Sequence, residues 1–176
     1  MKPTDVIPKF DQYLKDKGLN FEAVVIGGTA LAILKVISRE TMDMDCLDPQ
    51  ILPAIANAAM EFRMKNPNLG LHEKWINNGP DSLLRDLPQN WRDRKNLIFE
   101  GKALKIYTLG RSDLLKTKLF AYCDRGDDYQ DCLALKPTLQ ELNENLLWVS
   151  ERDGNPMWPN HVQAQFLRLK KALGYE

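Results

Sequence analysis

Two acids one residue apart, Asp43 and Asp45, follow a glycine pair, Gly27-Gly28, within the stretch VVIGGTALAILKVISRETMDMDCLD that runs from Val24 to Asp48. On a β-strand, residues i and i+2 point the same way, so the two carboxylates would sit close together on one face. Like charges that close repel unless a cation lies between them. Hard oxygen ligands in such a pair suit Mg²⁺, which takes one or two protein carboxylates and completes its shell with water and substrate phosphate. Gly27, Gly28 and Thr29, placed between a strand and a helix N-terminus, offer backbone N–H groups to phosphate oxygens. Each half alone has an ordinary reading, a structural turn or a solvated strand face. Together they describe a metal–nucleotide site.

Other motif readings of the same residues fail. The segment DMDCLDPQILPA has Asp48 where an EF-hand loop needs glycine and Ala54 where it needs glutamate. No Gly-Lys-Ser/Thr follows the glycines, as a Walker A loop requires, and the third glycine of a dinucleotide fingerprint is missing.

The elements that must position these residues are legible in outline. Val6, Phe10, Tyr13 and Leu14 share one helical face, and Gly18 sits where a helix would end. Phe21 to Ile26 reads as a buried strand running into the glycines, and Thr29 to Val36 as a helix. Alternation over Thr41 to Leu47 predicts a strand, with Met42, Met44 and Cys46 on one side and Thr41, Asp43 and Asp45 on the other. Asp48 and Pro49 suit the N-cap and first position of a helix reaching about Met64. Asn66 to Arg94 holds Trp75, Trp91 and breaks at Pro80 and Pro88, which predicts only short elements.

Further on, Asn96 to Phe99 and Ala103 to Tyr107 flank Glu100-Gly101-Lys102 as a hairpin. Ser112 is the expected N-cap of a helix with Leu115, Leu119 and Tyr122 on its apolar face. A second helix spans Asp127 to Leu135, and Thr138 with Glu141 forms a capping box for a third, through Val149. Pro159 opens the last, whose Val162, Phe166, Leu169 and Leu173 recur at helical spacing.

Composition narrows the class. The chain has 176 residues, enough for one well-buried domain and short for two independent cores. Its 24 basic and 24 acidic residues cancel, which argues against a whole-molecule electrostatic grip on nucleic acid. Cys46, Cys123 and Cys132 are an odd number without C-x-x-C spacing, so a reducing, cytoplasmic setting is expected rather than a disulfide scaffold or a zinc site. No apolar stretch is long enough for a membrane helix, so no membrane partner is expected.

Three segments, IGGTAL at Ile26 to Leu31, RETMDMD at Arg39 to Asp45 and LLKTKLFAYCDRGDDYQD at Leu114 to Asp131, resemble the motifs of the nucleotidyltransferase-fold proteins. That superfamily is typified by DNA polymerase β and kanamycin nucleotidyltransferase, and the third segment is similar to its abortive-infection toxin branch. The resemblance implies an α/β (α+β) fold in a single domain: a small mixed sheet flanked by helices over about residues 1–110, then a helical portion over about 111–176. It implies transfer of a nucleoside monophosphate from a nucleoside triphosphate to an acceptor hydroxyl. In that reading Asp43 and Asp45 hold Mg²⁺, Gly27, Gly28 and Thr29 cradle the triphosphate, and Arg39 and Lys118 stabilise phosphate charge. Asp128 orients Lys118 or assists the acceptor. RNA, protein or a small molecule is the acceptor, with an antitoxin as a partner if the chain is a toxin.

Bland roles stand beside these: Arg39 as a solvated charge, Lys118 as a snorkelling surface lysine, and Asp127, Asp128 and Asp131 as charges favourable to a helix dipole. Two departures from the superfamily pattern favour a second reading, an inactive binding module of the same fold. ALKIYTL offers no third carboxylate, leaving Glu100 in a turn and Asp113 at a helix start. Asp127 stands where the toxin branch commonly has lysine.

Overall fold

Val6, Ile7, Phe10 and Leu14 are all buried along one side of a first helix, α1 (Pro3–Asp16), in the computed structural model, which describes residues 1–175. Gly18, at φ +67°, turns the chain out of it. The described residues fall into two compact units, Met1–Gly110 and a second beginning at Arg111.

The first unit continues through β1 (Phe21–Ile26), α2 (Gly27–Ile33), β2 (Met44–Asp48), α3 (Pro53–Lys65), β3 (Ile76–Asn77), β4 (Asn96–Glu100) and β5 (Leu104–Thr108). The strands form one mixed sheet in the order β3-β2-β1-β5-β4. β1 runs antiparallel to β2 and parallel to β5, β2 is parallel to β3, and β4 with β5 makes the antiparallel hairpin. Phe21, Ala23 and Val25 of β1, Met44 and Cys46 of β2 and Leu104 and Ile106 of β5 join residues of α1 and α3 in one apolar core. Its aromatic centre is Phe10, whose ring lies 5.3 Å from Phe62 and 5.0 Å from Trp75. Burying each such side chain contributes about 1.5–3 kcal/mol. The fold class is therefore as the resemblance implied, a mixed α/β architecture with a helical C-terminal part.

Asp11 of α1 is buried and accepts hydrogen bonds from the backbone N–H groups of Lys102, Ala103 and Leu104, at 3.1, 2.8 and 2.8 Å. It fastens the first helix to the β4–β5 turn. A side chain at Gly101 would overlap that carboxylate, its Cβ running into Asp11 Oδ1.

Several boundaries differ from the sequence expectations. The helix predicted over Thr29 to Val36 begins earlier, at Gly27, so the glycines form its first turn, and it stops at Ile33. The strand predicted over Thr41 to Leu47 starts at Met44, and Met42 is 73% exposed rather than on a buried face. The cause is local: hydroxyl contacts between Thr29, Thr41 and the Asp43 carbonyl hold the chain in a bend before the strand. Asp48 stays in the sheet opposite Val24 rather than capping a helix, and the following helix opens at Pro53, which fills the first-turn role assigned to Pro49.

The second unit contains α4 (Arg111–Arg125), α5 (Tyr129–Leu135), α6 (Leu139–Ser150) and α7 (Trp158–Ala172). Ser112 lies inside the first turn of α4 rather than capping it, and the helix predicted from Asp127 starts at Tyr129 with Asp128 at its N-cap. The capping box forms as read: the Thr138 side chain accepts from the Glu141 N–H and the Glu141 carboxylate from the Thr138 N–H. Leu115, Leu119 and Tyr122 of α4 are buried, as are Val162, Phe166 and Leu169 of α7.

Candidate active site

The β1–β2 register sets Ile26 opposite Asp45, so the chain leaving β1 passes directly beside that acid. Gly27 has φ +72°, and a Cβ built on it would lie 2.6 Å from Asp45 Oδ2. Only glycine combines that backbone conformation with so close an approach to the carboxylate. At Gly28 a Cβ would meet Thr41 Cγ2 at 3.0 Å and Arg39 Nη1 at 3.8 Å, so the exposed guanidinium of Arg39 stands over the second glycine. Thr29 is buried, and its hydroxyl donates to the Asp43 carbonyl while lying 3.0 Å from the Thr41 hydroxyl. Its side chain thus stitches the glycine segment to the acid segment, and what it can offer a phosphate is its backbone N–H. α2 is only seven residues long, so its dipole is weak.

Asp43 and Asp45 are each half-buried, the first just before β2 and the second within it. Across the sheet, Asn77 of β3 pairs with Asp45, and its side-chain amide donates to Asp43 Oδ2 at 3.3 Å. Asn77 therefore meets Asp43 through its side chain and Asp45 through strand pairing. The next residue, Asn78, donates to the carbonyls of Cys46 and Pro49 at 2.9 and 3.0 Å and accepts from the Ile51 N–H at 2.8 Å. It fixes the chain leaving the acid strand. Neither asparagine stands out in the sequence, where Asn77-Asn78-Gly79-Pro80 reads simply as turn chemistry. No group of three or more His, Cys, Asp or Glu side chains arranged to hold a metal occurs among the described residues.

Lys118 and Asp128 lie in the second unit, and the structure brings these two together. Lys118 is 5% exposed, and its Nζ is 2.6 Å from Asp128 Oδ1 and 2.7 Å from Asp131 Oδ2. Arg125 grips the other Asp128 oxygen through Nε and Nη2, at 3.2 and 3.1 Å. Lys118 is thus no snorkelling surface residue. Asp128 at the N-cap and Asp131 in the first turn of α5 also suit the helix dipole. Asp127 is exposed.

Cysteine chemistry finds no support at either place. Burial pushes the Cys46 thiol far above its usual value, helped by the Asp45 charge, and burial lifts Cys123 to about 12. Burial raises Cys132 as well, so all three stay protonated and unreactive at neutral pH.

A family model described as a nucleotidyltransferase of unknown function (DUF6036) matches residues 4–146, covering the glycines, the acid pair and the Lys118 segment. The chain belongs to this nucleotidyltransferase family. No curated protein and no solved structure matches it. Membership attaches the superfamily label to the whole sheet unit and to the chain as far as α6, and leaves substrate and acceptor open. Among the described residues, no helix of the chain is long and apolar enough to cross a membrane.

Proposed function

We propose that the chain is a Mg²⁺-dependent enzyme that moves a nucleoside monophosphate from a nucleoside triphosphate to an acceptor hydroxyl. The observation that carries this reading is the approach of the Gly27 backbone to the Asp45 carboxylate, with the second acid, Asp43, bonded to Asn77, the strand partner of Asp45. Two half-buried carboxylates next to a side-chain-free stretch of backbone fit a hard divalent cation that keeps positions open for phosphate. Mg²⁺ held by Asp43 and Asp45 would supply charge neutralisation at the α-phosphate and the departing pyrophosphate. In the transfer, the acceptor oxygen bonds to the α-phosphorus, the bond to the β-phosphate oxygen breaks, pyrophosphate leaves with the electron pair, and the hydroxyl proton passes to solvent.

The chain's own residues divide the work. Gly27 and Gly28 leave room for phosphate to reach the backbone, and Arg39 supplies positive charge over that room. Lys118, held by Asp128 and Asp131, acts by fixing α4 to α5. The toxin role, with RNA, protein or a small molecule as acceptor and an antitoxin as partner, rests on the likeness of Leu114 to Asp131 to the abortive-infection branch. Three free, buried cysteines suit the reducing cytoplasm. The second reading, a binding module without catalysis, draws on Asn77, a neutral side chain beside the acids where a third carboxylate would serve.

Calorimetry with Mg²⁺ and each nucleoside triphosphate, followed by assay of pyrophosphate release in the presence of RNA and protein acceptors, tests both. Mg²⁺-dependent binding with release that stops in Asp43→Asn supports the enzyme. Binding without release under every acceptor supports the module, and no binding at all removes the nucleotide site.

A further inference from the structure

Asn77 lies on a segment, Ile76 to Gly79, whose two asparagine side chains are both hydrogen-bonded, and the bonds of Asn77 fix which way its amide points. The Gly79 N–H donates to Asn77 Oδ1 at 2.7 Å, and a donor can face only the carbonyl oxygen of a side-chain amide. The NH₂ end is therefore the one turned to Asp43 Oδ2, at 3.3 Å. A flipped amide would set N–H against N–H at Gly79 and lone pair against carboxylate at Asp43. Gly79 keeps this arrangement possible, because a Cβ there would lie 2.8 Å from Asn77 Oδ1.

Backbone pairing holds the frame rigid, with Met44 opposite Ile76 and Asp45 opposite Asn77, and with the Met44 N–H donating to the Trp75 carbonyl at 2.6 Å. Trp75 is itself 1% exposed and bonded through its indole N–H to the Ala59 carbonyl at 3.2 Å. The strand that carries Asn77 is thus anchored in the core, and the amide is delivered to the acid pair by a fixed support.

We propose that Asn77 is the positioning residue of the cation site: its amide holds Asp43 as a ligand, and it makes Asp43/Asp45 a two-carboxylate site for a single divalent cation. This rests on the metal reading given above. A carboxylate held by an outer donor loses less freedom when it ligates, and removing such partners typically weakens metal affinity 10- to 100-fold. A neutral amide also leaves the pair's charge at two, so the cation depends on substrate phosphate to complete its shell. Aspartate at the same position would keep an oxygen for the Gly79 N–H but would turn a third negative charge, with no donor, toward Asp43.

The test uses Mn²⁺ as a paramagnetic stand-in for Mg²⁺, titrated into the full chain and read from the loss of the free-ion resonance. Wild type should take up one equivalent, and Asn77→Ala should bind about 10- to 100-fold more weakly. Asn77→Asp, which has no donor for Asp43, should melt lower than wild type without cation because three carboxylates then repel. Asn77→Ser gives a second removal of the amide should Asn77→Ala fail to fold. Unchanged Mn²⁺ affinity in folded Asn77→Ala or Asn77→Ser, or an Asn77→Asp that melts no lower than wild type without cation, overturns the positioning role. Wild type that takes up no Mn²⁺, or takes it up equally as Asp43→Asn/Asp45→Asn, removes the metal site itself. Uptake that needs the acids and ignores Asn77 removes this proposal alone.

Discussion

At the scale of single residues, the glycines and the lysine behave differently from what their sequence neighbourhood suggests. Gly27 is held at φ +72° with its α-carbon face against Asp45, so Gly27→Ala forces a left-handed alanine and displaces a carboxylate. The backbone part alone costs about 1–2 kcal/mol. Calorimetry should find Mg²⁺-dependent nucleotide binding lost in this variant, and retained binding would mean that the close approach serves packing only. From sequence, Gly28→Val looks harmless to the fold, but a Cβ there already presses on Thr41, so Gly28→Ala is the gentler probe. Lys118→Ala likewise looks mild until its surroundings are known. With Lys118 gone, two buried carboxylates, Asp128 and Asp131, lose their shared cation, and the cost should be about 3–5 kcal/mol. Denaturant melts that place the variant within about 1 kcal/mol of wild type would contradict that. The acid pair and glycines were legible because their spacing is local. Asn77 was not, since its meaning depends on pairing with a strand whose acid lies 34 residues away.

Among elements, the sheet and its flanking helices followed from hydrophobic periodicity, and the errors fall where a side chain or a strand partner overrides propensity. Pro49 and Pro53 are both able to open a helix, and only the retention of Asp48 in β2 decides for Pro53. Met42 continues the alternation of β2 on paper, yet the Thr29 and Thr41 hydroxyls bend the chain before the strand begins. The tie from α1 to the hairpin was invisible for the same reason. Asp11 reads as a polar position on an amphipathic helix, whereas it closes the β4–β5 turn through three backbone N–H groups. Burial pushes the Asp11 carboxyl up, but those three donors together outweigh burial and hold it below its usual value. A carboxylate with a depressed folded-state pKa stabilises the protein fully above its unfolded value, near 4. That contribution is lost as pH falls through the folded value. Asp11→Asn should therefore cost about 2 kcal/mol at pH 7, the worth of hydrogen bonds to a charged acceptor, and the gap to wild type should narrow below about pH 4. Urea melts of both proteins from pH 7 to pH 3 measure it, and a gap that stays constant with pH would show that the charge on Asp11 plays no part.

For the molecule as a whole, 24 basic and 24 acidic residues leave no net field to draw in an anionic nucleotide, so any affinity must come from the local site. This makes the acid pair separable from the rest of the protein. The Thr29 and Thr41 bonds that shape the segment use the Asp43 backbone carbonyl, which survives a change of side chain. Asp43→Asn/Asp45→Asn should accordingly fold while losing the cation. A ligand that binds only the native state stabilises it by about 2.7 kcal/mol at 100 times its dissociation constant. In a chain of this length each kcal/mol raises the melting temperature by about 2–4 °C, so wild type with Mg²⁺ and its nucleoside triphosphate should melt about 5–10 °C higher than without. Neither Mg²⁺ alone nor the triphosphate with a chelator should reproduce the full shift, because the phosphates complete the shell of a cation held by only two carboxylates. The double variant should melt at the same temperature with and without the pair of ligands. Equal shifts in both proteins would place the nucleotide elsewhere in the chain and leave Gly27, Asp43 and Asp45 with a structural role alone.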